Sequence, residues 1–192
     1  SLGVECDLIT NNNWKNIKKT RHIDQRTNHM FIRIDENDNN YGNCDLSDVD
    51  WEKYDAVVIS DYNKGFLTES DIRTITEKHK CVFMDTKRIL GEWANKVCYI
   101  KVNFSEYLNT KQFLNDTLKK KLIITMGSQG SKHGDIVYPV PRVEIKDTSG
   151  AGDTFVSGLV VKYVQTGDIK KSIVFANECA TRVVQKRGVS IT

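Results

Sequence analysis

No apolar run in this 192-residue chain approaches the roughly 20 residues that a membrane-spanning helix requires. Basic residues do not cluster, and a net charge of +3 is too small to recommend nucleic acid as a partner. No signal-peptide pattern opens the chain, because Glu5 and Asp7 interrupt the stretch from Ser1 to Thr10. The five cysteines (Cys6, Cys44, Cys81, Cys98, Cys179) are odd in number, widely spread and never form C-x-x-C. Reduced, structural thiols in a cytoplasmic protein are the expectation. His22, His29, His79 and His133 show no metal-ligand spacing and read as surface or packing residues. What remains, with 39% hydrophobic and 28% charged residues, suits one globular domain over residues 1–192.

Residues 1–13 read as the end of an earlier element and a loop containing Asn11-Asn12-Asn13. Two strand-like runs follow, 18–24 and 29–35, around Gln25-Arg26-Thr27-Asn28, which predicts a β-hairpin over 15–36. In the second run Met30, Ile32 and Ile34 alternate with Phe31, Arg33 and Asp35, a pattern with one wetter face. The asparagine-rich stretch 37–50 reads as a surface loop. A regular rhythm then begins: strands at 55–60, 81–84, 97–102 and 121–125, with a helix at 68–80 capped by Thr68 or Ser70. Further helices are expected from Ser105 to about Leu108 and over 110–119. Both prolines, Pro139 and Pro141, fall within 136–145 and place that stretch at a sheet edge or outside the ladder. Two helices, 154–165 and one capped by Asp168 running toward Gly188, close the chain. This order argues an α/β domain with a mostly parallel sheet. Asp61, Asp85, Asn103 and Thr125 with Gly127 then sit at the ends of successive strands, where open sheets of this class bind ligands. Loops are polar in any case.

The stretch Asp147-Thr148-Ser149-Gly150-Ala151-Gly152-Asp153 joins the last expected strand to the first closing helix. Its small residues allow a sharp turn and leave backbone amides unshielded. Such amides at the positive end of a helix attract an anion. Asp153 beside that anion fits phosphoryl transfer, with the amides holding charge on the moving group and Asp153 accepting the proton of the attacking hydroxyl. A plain glycine turn with an aspartate N-cap accounts for the same residues.

The string resembles the D-T-x-G-A-G-D signature of the ribokinase-type (PfkB) carbohydrate kinases. That resemblance implies Asp153 as catalytic base and Gly150, Ala151 and Gly152 as the anion hole. Asn103-Phe104-Ser105-Glu106 resembles the N-x-x-E motif of the same family, which implies Asn103 and Glu106 beside the nucleotide phosphates. Glu106 would hold Mg²⁺ through water, and one carboxylate is adequate because Mg²⁺ keeps several waters. The run from Thr125 to Gly130 resembles the T-x-G-x-x-G loop, so Thr125, Gly127 and Gly130 are expected along the nucleotide. A glycine-rich hairpin turn is its plain alternative. Asn177 matches an Asn placed near adenine, and otherwise reads as a helix residue facing solvent. The implied cofactors are ATP and Mg²⁺, and the implied fold is a ribokinase-like, three-layer α/β arrangement.

Ser60-Asp61-Tyr62-Asn63-Lys64-Gly65 and Met84-Asp85-Thr86-Lys87 are similar to the S-D-Y-G-K-G and D-P-K strings of bacterial heptose 7-phosphate kinases. Lys19-Thr20-Arg21 and Phe31-Ile32-Arg33-Ile34-Asp35 are similar to their K-T-R and R-I-D pieces. Asn63 stands where that family has glycine, and Thr86 where it has proline. Lys19, Arg21, Arg33 and Lys64 are cations able to meet a sugar phosphate, and Asp61 is able to hold a sugar hydroxyl. Each cation taken alone also reads as solvated surface. The resemblance runs from about Lys15 to Thr192 but lacks the family's G-G-x-x-x-N sugar-binding segment, since no Gly-Gly pair occurs. A kinase domain incomplete at its N-terminus is therefore expected, with uncovered sheet edges that a homo-oligomer (a dimer) would cover. The reaction implied is transfer of the γ-phosphoryl of ATP to a hydroxyl of a sugar phosphate, heptose 7-phosphate, toward lipopolysaccharide precursors. Two alternatives stand beside it. One is a non-catalytic remnant that binds nucleotide or a partner chain. The other is a kinase of hydroxymethyl-pyrimidine or pyridoxal type, which would need an aromatic-lined acceptor pocket.

Overall fold

Alternating short strands and helices, the rhythm of the sequence, build a twisted sheet covered on both faces. The computed structural model describes residues 3–11, 14–27, 29–38, 42–186 and 188. The turn residue Asn28, the pair Asn12-Asn13 and residues 39–41 of the asparagine-rich loop lie outside the described residues. Strands β1 (Lys18–Ile23) and β2 (Met30–Glu36) form the expected antiparallel hairpin, with Lys19 opposite Asp35 and Arg21 opposite Arg33.

The main sheet has the order β3-β4-β5-β6-β7-β8, formed by Val57–Asp61, Val82–Thr86, Tyr99–Asn103, Leu122–Thr125, Ser131–His133 and Ile136–Tyr138. The first four are parallel and the last two antiparallel. One face carries α1 (Glu69–Lys78), α2 (Phe104–Thr110) and α3 (Asp116–Lys121); the other carries α4 (Ala151–Thr166) and α5 (Ile169–Val184).

Strand alternation divides the core in two. Val82, Met84, Ile100, Val102 and Leu122 pack with Ile72, Ile75 and Leu118 under α1 and α3. Phe83 and Ile123 turn the opposite way and pack with Phe155, Leu159 and Ile173 under α4 and α5. Each fully buried apolar side chain of this size contributes about 1.5–3 kcal/mol. The architecture is the expected mostly parallel sheet between two helical layers.

Local chemistry moved several boundaries. The strand expected over 137–145 stops at Tyr138, because Pro139 and Pro141 have no N–H to continue the ladder. A strand not anticipated, β7, follows Gly130 and pairs antiparallel with β6, so the T-x-G-x-x-G segment is the glycine-rich turn of a β6–β7 hairpin. The helix expected over 110–119 is replaced by a single 3-10 turn, Lys111–Phe113, and by α3, whose N-cap Asn115 accepts from Leu118 N–H. Helix α4 opens at Ala151 rather than Thr154, with left-handed Gly150 (φ 79°) as its N-cap. Asp153 is therefore in the first helical turn and is not the cap.

Candidate active site

The loops leaving the parallel strands meet at one edge of the sheet and enclose a cavity of about 190 Å³. Its wall is built from β3 with its loop (Ser60, Asp61, Tyr62), β4 with its loop (Asp85, Lys87), β5 (Lys101, Asn103), α2 (Glu106) and α4 (Gly152, Asp153). Of the expected site residues, the fold thus brings Asp61, Asn103, Glu106, Gly152 and Asp153 together. Gly150 and Ala151 precede them in the same turn. No side chain caps α4, so the first amides of this helix depend on groups outside it. Ala151 N–H reaches Thr148 O at 3.3 Å. Asp147 braces the turn from behind: Oδ1 accepts from Ser149 N–H at 2.8 Å and Oδ2 from Gly188 N–H at 3.2 Å. The Ser149 amide above all, then the Gly188 amide and the Arg21 guanidinium, hold the Asp147 carboxyl below the usual carboxylate range.

Four carboxylates line the cavity, and three are already engaged. Asp61 is buried, with Oδ2 accepting from Arg88 Nε at 2.5 Å and Thr86 Oγ1 at 3.0 Å, and Oδ1 from Asn63 N–H at 2.9 Å. Arg88 also donates to Leu67 O, which ties the loops after β3 and β4 together. Asp85 pairs with Lys101 at 2.8 Å. Burial pushes the Asp85 carboxyl up; the Lys101 ammonium pulls it back, while Glu106 and Asp153 add to the rise. Glu106 Oε1 meets Lys87 Nζ at 2.9 Å. Its Oε2 accepts from Asn103 N–H at 2.7 Å, while Asn103 Oδ1 accepts from Glu106 N–H at 2.9 Å. The N-x-x-E residues are thus a capping box that starts α2. Asp153, exposed, is the one cavity carboxylate without an ion pair or side-chain hydrogen bond among the described residues.

Among the described residues no group of three or more His, Cys, Asp or Glu could cage a metal ion. A Mg²⁺ ion bound chiefly by water and phosphate needs only one or two carboxylates. Glu106 fits that requirement, because each of its engaged oxygens keeps a second lone pair on the cavity wall. The single ring in the wall, Tyr62, set among acidic and basic groups, is not the aromatic-lined pocket that a pyrimidine or pyridoxal acceptor would need.

The remaining expected residues lie around this centre. Thr125 pairs with Asn103 across β5 and β6 at the same sheet edge. Gly127 (φ 59°) and Gly130 (φ 85°) bend the next loop, and a Cβ on Gly130 would fall 2.0 Å from Tyr138 O. Asn177, expected near a base or in solvent, is buried and donates to that same carbonyl at 3.0 Å. On the hairpin, Lys19 Nζ lies 5.2 Å from the Tyr62 ring, which Lys87 also faces at 5.3 Å. Arg33 pairs with Asp35 through two contacts of 2.7 Å, and Lys64 with Asp38 at 2.5 Å. Lys101 and Arg88 escaped the sequence reading. A lysine inside the apolar strand Y-I-K-V-N was the available signal for the first; nothing local marked the second.

Comparison with solved structures places this fold beside the ribokinase of Thermotoga maritima, with a TM-score of 0.66 at 17% identity over 89% of this chain and 64% of that one. An Arabidopsis thaliana ribokinase solved with ribose and ATP gives a TM-score of 0.56 at 21% identity over 70% of this chain and 51% of that one. By sequence, the bifunctional protein HldE of Helicobacter pylori (strain Shi470) is 28% identical over 224 residues, covering 100% of this chain and 47% of the relative. The chain thus spans about half the length of that relative. The family model for pfkB family carbohydrate kinases matches residues 1–192, and the chain belongs to that family.

Proposed function

We propose that this chain transfers the γ-phosphoryl group of Mg·ATP to a hydroxyl of a sugar phosphate, with heptose 7-phosphate as the acceptor. The observation that carries the reading is Asp153: three cavity carboxylates are neutralised by Arg88, Lys101 and Lys87, and this one is left unpaired at the N-terminus of α4. An unpaired carboxylate in the first turn is available as a base, and the helix dipole beside it favours an anionic phosphoryl group. The hydroxyl oxygen attacks phosphorus, its proton passes to Asp153, and ADP departs with the electrons of the broken P–O bond. The amides of Gly150 to Gly152 hold charge on the moving group. When bound, Mg²⁺ supplies charge neutralisation for the phosphates, with Glu106 as its protein anchor through water.

The acceptor rests on the S-D-Y-N-K-G and D-T-K segments, on the hairpin cations Lys19, Arg21 and Arg33 with Lys64, and on the HldE relatives. The nucleotide reading of Thr125, Gly127 and Gly130 is supported by the place of Thr125 beside Asn103 at the sheet edge; that of Asn177 rests on the family resemblance alone. A homodimer is the assembly we propose, because Ile32 and Ile34 on the hairpin are 52% and 42% exposed. Light scattering that gives the mass of one chain would remove that part.

The decisive experiment is a coupled kinase assay on Asp153→Asn with Mg·ATP and heptose 7-phosphate. Turnover should fall by about 10²–10⁴-fold, the usual contribution of a general base, while Mg·ATP still raises the melting temperature. Undiminished turnover in this variant would end the assignment. Turnover of other hexose or heptose phosphates in preference would keep the chemistry and change the acceptor.

A further inference from the structure

Among the described residues, Lys101 is the one lysine that is buried, with 7% of its surface exposed. Its strand neighbours Ile100 and Val102 point into the core under α1 and α3. Alternation therefore sends Lys101 to the α4 face, where it stands in register with Asp85. Its Nζ lies 2.8 Å from Asp85 Oδ2 and 3.1 Å from the point that a Cβ on Gly152 would occupy. The ammonium thus fills the space directly beneath the second residue of α4, on the wall of the cavity that Asp153 also lines.

Packing does not explain this placement. A buried ion pair contributes little net stability, and apolar residues of similar volume serve as well or better. An ammonium has three N–H donors, and Asp85 occupies one. The others sit at the cavity wall beside a helix N-terminus. Asp85 and Asp153 both present negative charge there, against a group that is itself an anion. Burial first, then the Glu106 and Asp153 carboxylates, push the Asp85 carboxyl up, and the Lys101 ammonium is the cation that pulls it back.

We propose that Lys101 is a further catalytic residue of the transfer: anchored on Asp85 beneath Gly152, its ammonium donates a hydrogen bond to the phosphoryl group as that group crosses the N-terminus of α4. This rests on the reading of Asp153 as the base. The acceptor oxygen bonds to phosphorus, the bond to the bridging oxygen of ADP breaks with its electron pair on ADP, and the hydroxyl proton goes to Asp153. Lys101 keeps its protons throughout and acts through charge. Asp85 is its positioning residue. Glycine at 152 leaves room for the ammonium to reach the same spot as the backbone amide.

The test uses the full chain and two probes measured by calorimetry, Mg·ADP and Mg·ADP with aluminium fluoride, which mimics the phosphoryl group in flight. Lys101→Met alone strands Asp85, so the informative variant is Lys101→Met with Asp85→Asn, which removes both charges and keeps the volume. It should bind Mg·ADP within about twofold of the unaltered chain, yet lose roughly 10²–10³-fold in fluoroaluminate binding and in kcat, the effect of removing one strong donor. Lys101→Arg keeps the charge and the Asp85 partner but moves the donors. It should retain the fold and still lose about tenfold or more of both quantities. Fluoroaluminate binding and kcat unchanged in the double variant, or in Lys101→Arg should the double variant not fold, would reduce Lys101 to a counter-charge for Asp85. The outcomes separate from those at Asp153. An inactive Asp153→Asn with a fully active double variant defeats this inference alone, whereas an active Asp153→Asn, or an unaltered chain that binds neither probe, defeats the site itself.

Discussion

The two faces of the parallel sheet start from the same strands and end in different chemistry. Under α1 and α3 the inward residues are apolar for most of each strand: Val82 and Met84 on β4, Ile100 and Val102 on β5, with Thr86 closing β4. Under α4 the corresponding series is apolar only at first. Phe83 lies opposite Tyr99, and the next inward pair is Asp85 opposite Lys101. One face is therefore a dry core until its last residues, Asp61 opposite Thr86, whereas the other becomes a polar site one pair earlier, at Asp85 and Lys101. The change occurs at the strand ends, where α4 enters with its N-terminus toward the cavity and no side-chain cap.

That contrast can be broken from either side. The largest effect on stability belongs to the dry face: Ile100→Ala should cost about 2–5 kcal/mol, as core truncations do. Its denaturation midpoint should fall sharply while nucleotide affinity below the transition stays the same. A change in affinity equal to that of a site variant would show that the two faces are not separable.

Gly152→Ala should act in the opposite sense. Alanine gains up to about 1 kcal/mol of helix propensity over glycine, but its Cβ meets Lys101 Nζ at 3.1 Å. Turnover should fall by roughly tenfold to a hundredfold, given that misplacement by about 1 Å is worth about 10²-fold. A melting temperature that holds or rises alongside that loss would set the site face apart from the core.

Asp147→Ala, which frees the glycine turn, should cost about 1–2 kcal/mol through two hydrogen bonds to a charged acceptor. The folded pKa of Asp147 is lowered. Its contribution is therefore complete above the ordinary carboxylate value of about 3.9 and disappears as pH falls through the lowered one. Stability curves of parent and variant should converge at acid pH; parallel curves would deny Asp147 this role.

The smallest effect comes from two caps of the same design. Thr68 with Asp71 starts α1, and Asn103 with Glu106 starts α2. Thr68→Ala and Asn103→Ala should each cost about 1 kcal/mol. Only the second should weaken Mg·ATP binding, because only that cap lines the cavity. Equal binding in both variants would make the N-x-x-E residues a cap and nothing more.

The hairpin, the four parallel strands and the two closing helices were legible as periodicity, because each buries a face whose spacing is written in local residue order. The glycine turn was legible for a related reason: few residues tolerate left-handed backbone, and Gly150 has it. The T-x-G-x-x-G segment was harder to read. Its second glycine is required by a carbonyl eight residues later, Tyr138 O, and no local pattern announces that contact. Asn177 illustrates the same limit. Its helix position was evident, but its partner comes from β8, so burial against a backbone carbonyl could not be foreseen.

By itself the sequence determined the class of fold and which short strings bear chemically capable groups, since these depend on alternation and local turn geometry; the family came from the resemblance those strings carry. Only the tertiary structure decided which of those groups are already spoken for. Asp61, Asp85 and Glu106 meet Arg88, Lys101 and Lys87, and each partner lies on a different loop, strand or helix. Charge pairing acts through space over a few ångströms, without regard to chain order. The carboxylate left unpaired, Asp153, emerges only when all four are seen around one cavity.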